Sequence, residues 1–183
     1  MTFSWIVRQW CKAYKPMLDT PKNRRFYLTD STAGVVELAK GATPMLSPCV
    51  VMESDVSGGG PVDRPVMTYP VYFFVRADKM ADGDEAAVAK ETAKEHARNF
   101  VAWLKMKHDE EIGENRDGDF CRIDLDGYVD YQTVGPLENG WYAVLVQLER
   151  EEPLNLCVDE NLYLNDDCCC QNDHMADDKQ DEP

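Results

Sequence analysis

"TYPVYFFVRA", residues 68–77, decides the fold. In an extended chain successive side chains point to opposite faces, so Tyr69, Val71, Phe73 and Val75 share one face while Tyr72 and Phe74 share the other. Both faces are apolar. A strand of this kind is buried on both sides, and something must cover each. The cover for one face follows directly in the chain. After the turn "DKMADGD", the segment from about 84 to 111 reads as a long helix, with Asp82 or Asp84 as its cap and Ala93, Ala97, Phe100, Val101 and Leu104 as its buried stripe. For the second face the candidates are the N-terminal helix or another subunit.

The chain on the N-terminal side supplies more elements. Phe3, Ile6, Val7, Trp10, Cys11 and Tyr14 recur at helical spacing, and Pro16 ends that helix. "RRFYLTD" (24–30) is a short strand. A short helix follows, with Asp30 or Ser31 as its N-cap and Gly41 as its stop. "PCVVMES" (48–54) is a second strand, rich in β-branched residues. Residues 55–67, with three consecutive glycines and two prolines, read as an exposed loop.

On the C-terminal side, "FCRIDL" and "YVDYQTV" around Asp126-Gly127 predict a hairpin, and Asn139-Gly140 predicts a second turn. "WYAVLVQLER" (141–150) is the last strand, with Val144, Val146 and Leu148 on one face and Trp141, Ala143 and Leu145 on the other. The expected fold class is α+β: a mainly antiparallel sheet packed against a long helix and an N-terminal helix, with an acidic C-terminal tail. Residues 1–156 form the domain and 157–183 the tail.

Charge divides the chain in the same place. The formal net charge is −15. Residues 157–183 hold nine acidic side chains against Lys179, so −8 sits there and −7 on residues 1–156. An acidic chain of this kind argues against nucleic acid as the main partner, because phosphate neutralisation needs clustered Lys and Arg. The short basic run Lys22, Arg24, Arg25 does not change that balance. No apolar run approaches a bilayer span, and the first fifteen residues lack the pattern of a signal peptide. The expectation is a soluble protein made in the cytoplasm. Seven cysteines, at 11, 49, 121, 157 and 168–170, do not form a disulfide framework and read as reduced thiols.

Several stretches invite a chemical reading. "LNDDCCCQNDH" (164–174) places Cys168, Cys170 and His174 near Cys157 and Asp167, yet adjacent cysteines point apart in extended backbone and structural zinc sites use pairs two to four residues apart. A solvated or partner-docked tail explains it better than a metal site. Asp124, Asp126 and Asp130 resemble a calcium loop, but the twelfth position is Gly135 where a glutamate is required. His96 and His108 lie twelve residues apart on one helix, about 18 Å along its axis. His96, beside Glu95, is expected to be exposed. "SGGG" (57–60) lacks the Lys-Ser/Thr of a phosphate loop. No constellation of catalytic residues emerges, and no cofactor or metal is expected.

An N-terminal amphipathic helix, the strand "YPVYFFVRA", the helix "AAVAKETAKEHARNFVAWLK" and a closing strand introduced by "NGWYAVLVQLE" together resemble the tail terminator, or tail-completion, proteins of tailed bacteriophages, over residues 3–150. That resemblance implies a structural virion protein and not an enzyme. The subunit would assemble with copies of itself into a ring, usually a hexamer, on the head-proximal end of the tail tube. There it ends tube polymerisation and joins the tail to the head connector, as part of the virion assembled in the host cytoplasm. The implied partners are the chain itself, the tail-tube protein and the head–tail connector or neck protein. No membrane and no sequence-specific nucleic acid is involved, although the ring lumen is where DNA would pass. The tail after residue 156 departs from the family. The residues expected to make subunit or tube contacts are Ser57, Gly58, Gly59, Gly60, Arg64, Tyr72, Phe74 and Trp141. Two alternative readings stand beside this one: a neighbouring neck or head–tail connector protein, and a small metal-binding or redox protein using the cysteine-rich end.

Overall fold

A computed structural model describes residues 2–41, 45–54, 57–61, 64–77, 83–114, 118–125 and 129–152. The N-terminal stripe forms helix α1 (Phe3–Ala13), which buries Phe3, Ile6, Val7, Trp10 and Cys11. Pro16 then heads a short 3-10 turn (Lys15–Met17), because the residue before a proline is pushed out of α geometry. Strand β1 (Phe26–Thr29) and helix α2 (Thr32–Lys40) follow. The Ser31 hydroxyl caps α2 by accepting a hydrogen bond from the Gly34 amide at 3.2 Å. Then come β2 (Cys49–Glu53), β3 (Ser57–Gly59), β4 (Val66–Arg76), helix α3 (Gly83–Gly113), β5 (Tyr131–Leu137) and β6 (Trp141–Glu151).

The strands form one sheet in the order β1-β2-β4-β6-β5, with β3 also paired to β4. Among the described residues only β1 and β2 run parallel; the other pairings are antiparallel. The expected α+β class with a mainly antiparallel sheet is therefore what the chain adopts. The stretch quoted first forms most of the central strand β4, paired along its whole length with β6 from Val66↔Glu151 to Arg76↔Trp141.

Two cores flank this sheet. On one face Val71, Phe73, Val144, Val146 and Leu148 meet α1 and α3. Small side chains at Ala89, Ala93 and Ala97 let α3 approach the sheet closely, and Phe100 then reaches across to Phe73 and Trp10, with ring centroids 5.5 and 5.2 Å away. On the other face Tyr72, Phe74, Trp141, Ala143 and Leu145 meet Val35 and Ala39 of α2, together with Met45, Cys49 and Val51.

Three sequence expectations change. The second face of β4 is covered by α2, not by the N-terminal helix, which lies beside α3 on the first face. The glycine run is not wholly loop: Ser57, Gly58 and Gly59 pair with Thr68, Met67 and Val66, extending the line of β2 along β4. Gly58 fits because a Cβ there would lie 2.2 Å from the Met67 sulfur and 2.7 Å from the Val66 carbonyl oxygen. The hairpin at Asp126-Gly127 is also absent in the expected form. β5 pairs with β6, and from "FCRIDL" only Ile123 bridges, to Arg150. Residues 126–128 themselves lie outside the described residues. The turn at Asn139-Gly140 is present, with positive φ at both (65° and 74°).

Candidate interaction surface

The sequence-predicted contact residues fall into two groups. Ser57, Gly58, Gly59, Gly60 and Arg64 are exposed on the β3–β4 hairpin. Arg64 lies across the sheet edge with its Nε 3.5 Å from a Glu151 carboxylate oxygen, and the Pro65 carbonyl accepts from the Glu152 amide at 2.9 Å. Tyr72, Phe74 and Trp141 are interior, at 5%, 0% and 3% exposure, beneath α2. The signal that singled them out, an aromatic face lacking an obvious cover, was satisfied inside the subunit by a nine-residue helix. A contact with another molecule has to use side chains other than these three.

Buried polar residues brace the elements that carry this surface. Glu53, at the end of β2, accepts hydrogen bonds from the Tyr72 hydroxyl at 2.6 Å and the Thr32 hydroxyl at 3.0 Å. Burial, and then the neighbouring Glu53, drive the Tyr72 hydroxyl's pKa well above its ordinary value, so it stays a proton donor. This cluster ties the start of α2 to β2 and β4. Asp19 is buried and accepts from the Arg25 and Phe26 amides at 2.8 and 3.2 Å, fixing the entry into β1. At the end of β6, Arg150 is 1% exposed and donates to Glu152 at 2.9 Å and to Asp119 at 2.5 Å. Glu152 also accepts from the Tyr69 hydroxyl at 2.7 Å, and burial followed by that bond pushes Tyr69 up to about 12.

His96 corrects another expectation. It is buried at 6%, and its Nδ1 lies 3.1 Å from the Tyr14 hydroxyl, joining α3 to the end of α1. Burial lowers its pKa below the ordinary histidine value, with Glu95 opposing in part. The sequence did hold the signal: His96 stands three residues after Ala93 and four before Phe100, on the apolar stripe. His108 is buried further along the same stripe. Cys11 and Cys49 are free and buried, and desolvation raises both thiols well above their usual range, which leaves them unreactive. Among the described residues no group of three or more His, Cys, Asp or Glu could hold a metal ion. Cys157, Asp167, Cys168, Cys170 and His174, the candidates for a metal or redox site, lie outside the described residues, as does the whole predicted tail of 157–183. No helix among the described residues is long and apolar enough to cross a membrane.

Among the described residues the sheet offers its margins to the free surface, beside the outer face of α3 where Val88, Met106 and Ile112 are exposed. β5 forms one end of the strand order, mostly exposed along its length, with Pro136 limiting pairing near its end. β1 forms the other end, beside exposed Trp5 and Leu28. Sequence reasoning missed the β1 margin, because the exposure of Leu28 depends on which strand ends the sheet. No family model matches the chain and no curated protein matches it by sequence, so these margins and the α+β fold that presents them are the ground for any reading of function.

Proposed function

We propose that this chain is a structural virion subunit that acts by binding: copies close into a ring, a hexamer in this reading, at the head-proximal end of a phage tail tube, ending tube growth and joining the tail to the head connector. The observation that carries the reading is the division of the subunit into a sealed interior and open sheet margins. Both faces of the sheet are consumed by the chain's own helices. Among the surfaces the sheet itself offers, the exposed β5 edge and the β3–β4 hairpin are two unlike ones on one subunit. A contact between unlike surfaces repeats by rotation, and it gives a ring where that rotation closes and a filament where it does not. Backbone pairing at an open edge supplies affinity without a large apolar patch.

The acidic character fits the same role. A chain of net charge −15 repels DNA and free copies of itself, which keeps a ring channel non-adhesive. In this reading Ser57, Gly58, Gly59, Gly60 and Arg64 meet the tube or a neighbouring subunit, and no side chain reacts. The test is a pull-down of the purified chain with tail-tube subunits and, separately, with head-connector subunits, repeated after deletion of 57–60. Capture by the tube that weakens on deletion supports the reading. Capture by the connector alone makes the chain a neck protein, and capture by neither overturns the assignment.

A further inference from the structure

The β1 margin carries an inference independent of the ring. In its parallel pairing with β2, the carbonyls of Arg25 and Thr29 accept from the Val50 and Ser54 amides. Alternation along the strand therefore turns the backbone N–H and C=O of Leu28 away from β2, toward the open side. Over this edge Trp5 and Leu28 are 46% and 45% exposed. The groove they line also takes in Arg8 and Arg24. It shares Leu28 with a second groove that reaches Tyr69 and Glu152, and it shares Arg8 and Arg24 with a third that reaches Lys12. A continuous trough therefore runs from Glu152 to Lys12, apolar in the middle; at its far end Arg8, Lys12 and Arg24 outnumber the buried Asp19, whose carboxylate lies 3.6 Å from the Arg8 Nε.

Glu152 is the last described residue of the chain. The sequence that follows it is "PLNLCVDENLYLNDD" (153–167), with Leu154, Leu156 and Val158 at alternate positions, then Asp159 and Glu160. Alternating apolar residues suit an open strand edge, and the acidic pair suits a basic groove. From β6 to β1 is three strand spacings, roughly 14 Å. Eleven residues span up to about 36 Å when extended, so the segment reaches.

We propose that residues 154–164 dock in this trough within their own subunit, covering Trp5 and Leu28 and setting Asp159 and Glu160 against Arg8 and Arg24. The basic end of the trough, on a chain of net charge −15, then has an acidic occupant supplied in cis, and the β1 edge is closed to other chains while β5 stays open.

Hydrogen exchange read by mass spectrometry on the full chain tests this. The amides of 154–164 and of Leu28 are expected to exchange at least about tenfold more slowly than in a free peptide. Reversing the acidic pair, Asp159→Lys with Glu160→Lys, changes none of the described residues and is expected to abolish that slowing while α3 keeps its protection. Adding Arg24→Glu to that variant, which leaves the Arg8–Asp19 pair in place, is expected to restore part of it. Free-peptide exchange across 154–164 in the native chain overturns the proposal, as does protection indifferent to the charge reversal. Protection that vanishes on dilution places the segment in a second copy and also overturns docking within one chain.

Discussion

His96 illustrates how a single side chain sets a condition on the whole fold. Its buried place between α1 and α3 favours the neutral ring. In the unfolded chain the imidazole takes up a proton near its ordinary value of 6.5, while the folded chain resists doing so. Stability should therefore be full above that value and fall as the pH drops below it toward the lower folded-state value. Urea denaturation from about pH 7 to about pH 5 should show this fall, and His96→Asn should flatten it. A fall of equal size in the variant would assign the acid sensitivity to other groups. Glu53 gives a second test. Tyr72→Phe removes the hydroxyl that donates to its buried carboxylate and should cost about 1–3 kcal/mol in the same assay. These partnerships were hidden in the sequence because each joins residues far apart in the chain: 82 positions separate Tyr14 from His96 and 19 separate Glu53 from Tyr72. Periodicity places a residue on a face of its own element, and it does not name the partner waiting there.

At the scale of elements, local pattern was a good guide where one face of a segment is consistently apolar. The stripes of α1 and α3 and the two faces of β4 and β6 read directly from spacing, since burial enforces that spacing. Pairing was harder. "FCRIDL" reads as half of a hairpin, yet Ile123 bridges to β6 instead: Asp119 pairs with Arg150, the Asp124 amide donates to the Glu149 carbonyl, and the Glu151 amide donates to the Arg122 carbonyl. The glycine run reads as loop because glycine lacks strand propensity, but Gly58 lies against Met67 where a larger residue would collide. Gly58→Val should detach β3 from β4. As β3 is exposed, the melting temperature should move little, about 0.5 kcal/mol or less in stability, while self-association weakens. A large loss of stability without a change in association would make the hairpin a folding element only. Phe100→Ala, by contrast, empties the centre of the core shared by α1, α3 and β4 and should cost about 3–5 kcal/mol, read from the urea midpoint.

For the whole molecule, a mixed sheet sealed on both faces leaves margins as its means of action. In the two proposals, one margin takes the chain's own acidic continuation and the other, with the β3–β4 hairpin, takes neighbouring subunits and the tube. The α+β architecture was legible in the sequence because the doubly apolar strand at 68–77 demands covers on both sides. The choice of margin was not, since an edge strand is defined by the absence of a neighbour and no residue announces it. The most direct measurement is the mass of the purified full-length chain in solution by light scattering, alone and with tail-tube subunits. The account predicts a closed ring, about six times the 20.8 kDa subunit, either alone or on meeting the tube. A monomer at every concentration, unchanged by tube subunits, would contradict it.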